Sequence, residues 1–176
     1  IPGTLEIHLY TFAGALIDST TQHTVINSDS STLLQNITLP EDKDFSASHF
    51  YYARFIPDNS DFQVCENVAF LLRPKQCQIA SAQIDVKVGT AEQASTPNAT
   101  PKIASDFEIT LKSDVPAFFV VLEINTRHDV RFSDNNFTLL PGIEKRVTLT
   151  YDSRTFDKLT KDDVEAELEI HALRNF

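Results

Sequence analysis

Glu165, Glu167 and Glu169 form the most conspicuous row of carboxylates in the sequence, and carboxylates in close company can divide general acid and general base roles between them. They alternate with Val164, Ala166, Leu168 and Ile170, which predicts one strand with an apolar face and an acidic face. Alternate side chains on a strand stand about 7 Å apart, so the row reads as a solvated sheet surface rather than a catalytic pair. Asp114, Asp129 and Asp134 offer oxygen donors for calcium, but neither EF-hand spacing nor its glycine accompanies them. The histidines, His8, His23, His49, His128 and His171, lack HExxH or paired-ligand spacing, and no GxSxG elbow marks a nucleophilic serine. No catalytic residue, metal ligand or cofactor-binding residue is assigned.

Three Asn-x-Ser/Thr sequons are present, at Asn36 (NIT), Asn98 (NAT) and Asn136 (NFT). Such sequons mark surface loops of secreted chains. Asn36 and Asn136 rank above Asn98, which has Pro101 close behind it. A sugar-binding platform needs exposed aromatic faces. Trp is absent, and Tyr51 and Tyr52 point to opposite faces of their expected strand, so packing is the expected role of both.

A net charge of -10, from 25 acidic and 15 basic residues, repels phosphate backbones and anionic lipid. Nucleic acid and membrane surfaces are therefore not expected partners, and no apolar run approaches the ~20 residues of a membrane span. Met is absent and the chain opens at Ile1-Pro2-Gly3 directly into an apparent strand, so Ile1 reads as a processed or cleaved end. If residues 62–72 form one straight strand, Cys65 and Arg73 lie roughly 26 Å apart, and the return to Cys77 recovers at most ~14 Å. A Cys65–Cys77 disulfide is then out of reach. A bend near Asn67 is the alternative.

The elements that must position these residues are strands. Leu5, Ile7 and Leu9 share one face of a first strand, and Phe62, Val64, Val68, Phe70 and Leu72 follow a longer one interrupted by Glu66. Phe107, Ile109 and Leu111 alternate with Glu108, Thr110 and Lys112, the pattern of a half-buried antiparallel sheet. AFFVVLEI at 117–124 belongs at the centre of its sandwich, and residues 155–163 hold a turn of helix at most. In RFSDNNFTLLPG at 131–142, Val130 to Phe132 ends a strand, SDNN turns, FTLL is the next short strand, and Pro141-Gly142 turns again. Phe132 and Phe137, with Phe119 and Val121, are expected as core anchors, and Asn135 as a solvent-facing turn residue. GTAEQASTPNATPK at 89–102 has nothing to bury and reads as a linker. The expected architecture is all-β: two tandem immunoglobulin-like antiparallel β-sandwiches, at 1–88 and 103–176. The first supplies only five or six of about seven strands, so one strand is expected upstream of Ile1.

AFFVVLE, then RFSDNNF, then LLPG and RVTLTY resemble the C-terminal immunoglobulin-like domain of the β-mannosidases of glycoside hydrolase family 2. GTLEIHLYTFAGALI and CENVAFLLRPKQ resemble the sandwich that precedes that domain, so the likeness covers most of 1–88 and 103–176. The resemblance implies a secreted, or else lysosomal or vacuolar, retaining exo-glycosidase that removes terminal β-D-mannose. Its chemistry implies two carboxylates on a (β/α)8 barrel that lies outside this chain. In the family the acid/base Glu sits in an Asn-Glu pair; here only the reverse order, Glu66-Asn67, occurs, so no catalytic residue carries over. The implied partner is that barrel portion of the same enzyme, covalent or as a nicked fragment. The rival from another class is an autonomous carbohydrate-binding or adhesion module.

Overall fold

The computed structural model describes residues 1–27, 31, 33–90, 104–124, 130–152 and 159–174, without the side chains of 104–106 and 152. They divide into two compact units, 1–80 and 81–176. The chain is mostly antiparallel β, as the alternation predicts.

In the first unit, β1 (Pro2–Thr11), β2 (Leu16–Val25), β3 (His49–Pro57) and β4 (Cys65–Phe70) form one sheet in the order β2-β1-β3-β4. Gly14, at φ 91, closes the β1–β2 turn in a conformation that only glycine adopts at little cost. Gly3 lets β1 approach β3, because a Cβ there would stand 2.5 Å from the Phe55 ring and 2.6 Å from the Ile56 carbonyl oxygen. A short helix, α1 (Lys43–Ser48), starts where the Asp42 side chain accepts a hydrogen bond from the Asp44 N–H. Phe12 stacks between Phe50 and Phe70, with ring centroids 5.2 and 5.8 Å away.

In the second unit two sheets face one another around a single core. One has the order β5-β6-β10-β8, from β5 (Ile84–Thr90), β6 (Ala104–Ser113), β10 (Lys145–Asp152) and β8 (Val130–Phe132). The other has the order β11-β7-β9, from β11 (Leu168–His171), β7 (Ala117–Ile124) and β9 (Phe137–Leu139). Phe107, Ile109 and Leu111 point inward as their alternation predicts, and meet Val147, Leu149, Val120 and Leu122. The 131–142 stretch also folds as read. Ser133 turns the chain through two hydrogen bonds with the Thr148 backbone, and Lys145 pairs with Asp134 at 2.6 Å.

Several expectations are corrected. The expected boundary at 88 moves to 80/81, because β5 pairs with β6 along its whole length and carries residues 84–90 into the second unit. Within the expected 89–102 linker, residues 89–90 therefore belong to β5, and 91–102 lie outside the described residues. The 62–72 strand shrinks to Cys65–Phe70, leaving Phe62 and Val64 exposed at 48% and 45%. Residues 161–167 form a helix, α2 (Lys161–Glu167), where Thr160 and Asp163 make a capping box that the period-two reading overlooked. Glu165 and Glu167 consequently lie on a helix and only Glu169 on a strand, so the carboxylate row does not exist. Between the pairs Ala117–Leu139 and Val120–Phe137, β7 holds one residue more than β9. That bulge re-phases the strand: Ala117 and Val120 both turn into the core, Phe118 is buried outside it, Phe119 (φ 52) is exposed and Val121 is half-buried. Phe132 is half-buried as well, and Phe137 alone of the four expected anchors is fully buried.

Candidate functional site

The described residues that converge most closely lie on one face of the first unit's sheet. Strand register sets Glu6 of β1 against Arg54 of β3 and Thr21 of β2, and His8 against Tyr52 and Ser19. The His8 Nδ1 lies 2.9 Å from the Ser19 hydroxyl, and its Nε2 lies 3.5 Å from Glu6. Tyr52 donates to the Glu66 carboxylate at 2.6 Å. Burial, and then this bond to Glu66, push the Tyr52 hydroxyl well above the ordinary tyrosine range.

Ser19, His8 and Glu6 thus stand in the order of a hydroxyl relay. A relay performs acyl transfer only beside donors for the developing oxyanion. The Ser19 N–H is committed to Asp18, and Arg54, the neighbouring cation, lies 3.5 Å from Glu6. That Arg54 contact is a charge contact without hydrogen-bond geometry, since the guanidinium Nε is buried with no hydrogen-bond acceptor. Apart from that Nε, the face is a polar network whose acids and bases meet one another, flanked by the Tyr10–Phe50 stack.

The residues singled out in the sequence fall elsewhere. Asp114 accepts from the Gln83 and Val115 N–H groups, both at 2.8 Å, and so ties a loop. His23 pairs with Asp58 at 2.9 Å, and His49 stacks on Phe45 at 4.1 Å. Asp129, His128 and Asn98 lie outside the described residues. Tyr52 is buried and Tyr51 half-buried on opposite faces, in keeping with packing roles. Cys65 is exposed and Cys77 buried, and neither is in a disulfide. Among the described residues, one grouping brings three residues of metal-ligating type together: Glu123, Glu169 and His171, whose donor atoms lie within 4.8 Å of one another. Register explains it, because Glu123 and Glu169 are direct cross-strand partners. All three are solvent-accessible, and the His171 Nε2 sits 3.9 and 3.4 Å from the two carboxylates.

The remaining feature is apolar. Of the twelve large hydrophobic residues exposed among the described ones, nine belong to the first unit. They include Leu16, Ile17 and Val25 at the ends of edge strand β2, Leu33 and Ile37 in the extended segment after it, and Phe62 ahead of the opposite edge strand β4.

Comparison with known proteins agrees with the fold. A family model of Ig-fold domains, Ig_mannosidase, matches residues 79–176. No curated protein matches in sequence. The chain is similar in structure to a β-D-mannosidase from Dictyoglomus thermophilum, with 19% identity and a TM-score of 0.68 over 98% of this chain and 18% of that one. It is also similar to the exo-chitosanase CsxA of Amycolatopsis orientalis, with 13% identity and a TM-score of 0.55 over 98% of this chain and 23% of that one. The chain therefore spans about a fifth of the length of either enzyme.

Proposed function

From the premise that this chain belongs to the Ig_mannosidase family of Ig-fold domains, we propose that it is the C-terminal, non-catalytic portion of a secreted β-mannosidase. The parent enzyme hydrolyses terminal non-reducing β-D-mannose from β-mannosides, and its catalytic (β/α)8 barrel lies outside this chain. The family match over 79–176 is the observation that carries the reading. The polar face of the first unit supports it, since its acids and bases are spent on one another. The exposed apolar residues of the first unit are the surface that packs against the rest of the enzyme. Burying side chains such as Leu33 or Phe62 contributes roughly 1.5–3 kcal/mol each when complete.

The fold does not select the sugar, because an exo-chitosanase shares it. The test is therefore made on the full-length secreted protein, with p-nitrophenyl β-D-mannopyranoside and the matching β-D-glucosaminide offered in parallel. The expected result is turnover of the mannoside, absent from residues 1–176 alone. Joint replacement of Ile17 and Phe62 by Asp lowers the melting temperature and activity of the full-length enzyme, while Ile143→Asp, at an exposed turn residue of the second unit, leaves both unchanged. Preferential turnover of the glucosaminide, or turnover by the 176-residue chain alone, contradicts the proposal.

A further inference from the structure

In the second unit one short turn joins an edge strand of each sheet. β8 is the last strand of the sheet β5-β6-β10-β8, β9 is the last strand of the sheet β11-β7-β9, and residues 133–136 connect them. Among the described residues neither strand pairs with a further strand on its outer side, and unpaired edges invite pairing with other chains. The two asparagines of this turn are both exposed and differ in what their side chains bond. The Asn135 side chain accepts from the Leu122 N–H at 2.8 Å and donates to the Leu122 carbonyl at 3.0 Å, filling the next rung of the β7–β9 ladder. Asn136 is exposed, holds a left-handed φ of 63, and begins the sequon Asn136-Phe137-Thr138. Its neighbour makes the structural bonds, so its own amide is left facing solvent.

We propose that Asn136 carries an N-linked glycan, and that this glycan covers the open side of the sandwich where β8 and β9 end. A branched, hydrated oligosaccharide at the turn hinders edge-to-edge approach to both sheets while adding no contact to the core. The assignment rests on the turn and the sequon, independently of the enzyme's substrate and of the first unit's apolar surface.

The full-length protein is secreted from a eukaryotic host and treated with a peptide N-glycosidase, which converts a glycosylated asparagine to aspartate. Peptide mass mapping is expected to find Asp at 136 in most molecules. Two variants keep the result independent of folding defects: Asn136→Gly suits the left-handed backbone, and Thr138→Val keeps a β-branched residue in β9. Each is expected to remove the glycan and raise self-association in light scattering. Unmodified Asn136 in the secreted protein overturns the site. A modified Asn136 whose loss leaves the protein equally monomeric overturns the protective role.

Discussion

Ile109 and Leu111 on β6, Val147 and Leu149 on β10 and Val120 and Leu122 on β7 are at most 1% exposed, whereas Leu5, Leu9 and Phe55 of the first unit stay at 8%. The two units use the same period-two alternation and differ in what faces each sheet. In the second, β7 with its bulge brings a second apolar layer onto β6 and β10, and the core closes on itself. In the first, the described strands make one sheet, tightly packed around Phe12 and Phe50, while Leu33 stands 74% exposed. Alternation thus specifies strands and faces; closure depends on a second layer that a strand pattern does not name.

The comparison sharpens most at the second unit's core. Leu111→Ala is expected to cost about 2–5 kcal/mol, lowering the melting of the second unit while leaving the circular dichroism of the first intact. A loss spread equally over both units would merge them into one cooperative body.

Asn135→Ala ranks next. It leaves the N–H and carbonyl of Leu122 without partners and is expected to cost about 1–3 kcal/mol in thermal denaturation, against almost nothing for Asn136→Gly. Asn135 is exposed in its turn, as the sequence suggests, yet its side chain holds two backbone bonds that a solvent-facing residue need not make. The physical reason is a register position: Asn135 lies opposite Leu122 at the end of a ladder, and an amide side chain there imitates a peptide group. Residue types cannot reveal that, whereas the turn itself was legible in SDNN.

The first unit has its own signature in alkali. The fold holds Tyr52 neutral through burial and its bond to Glu66, so its folded pKa is raised above the unfolded value of about 10. A raised pKa contributes stability that is complete below pH ~10 and is lost as pH rises toward the folded value. The first unit should therefore lose stability above that pH, tracked by tyrosinate absorbance, and Tyr52→Phe should remove that component. An alkaline transition unchanged in Tyr52→Phe would assign it elsewhere.

The smallest expected effect is the most telling about docking. Leu33→Ser should alter the melting of the isolated chain by no more than about 0.5 kcal/mol, because the side chain is exposed there, and should weaken the full-length enzyme measurably more. Equal effects in both contexts would remove Leu33 from the interface.

Legibility followed the physics of each element. The strands of the second unit and its 131–142 turns were readable because half-buried strands alternate and turns need Ser, Asp, Asn, Pro and Gly. The β7 bulge was hidden in AFFVVLEI, since a continuous apolar run has no phase to lose. Helix α2 was hidden because Val164, Ala166, Leu168 and Ile170 happen to alternate, although Thr160 with Asp163 was a capping signal in plain view. The Ser19-His8-Glu6 network was invisible, because its members meet only through the β1–β2 register.

Hydrogen exchange of the 176-residue chain, alone and within the full-length protein, tests the central contrast most directly. The expected result is slow exchange on β6, β7 and β10 in both contexts, with β1–β4 exchanging faster in the isolated chain and slowing within the full-length protein. Amides of β1–β4 as protected as those of β6 and β10 in the isolated chain, and unchanged in the full-length protein, would contradict a first unit that depends on its partner.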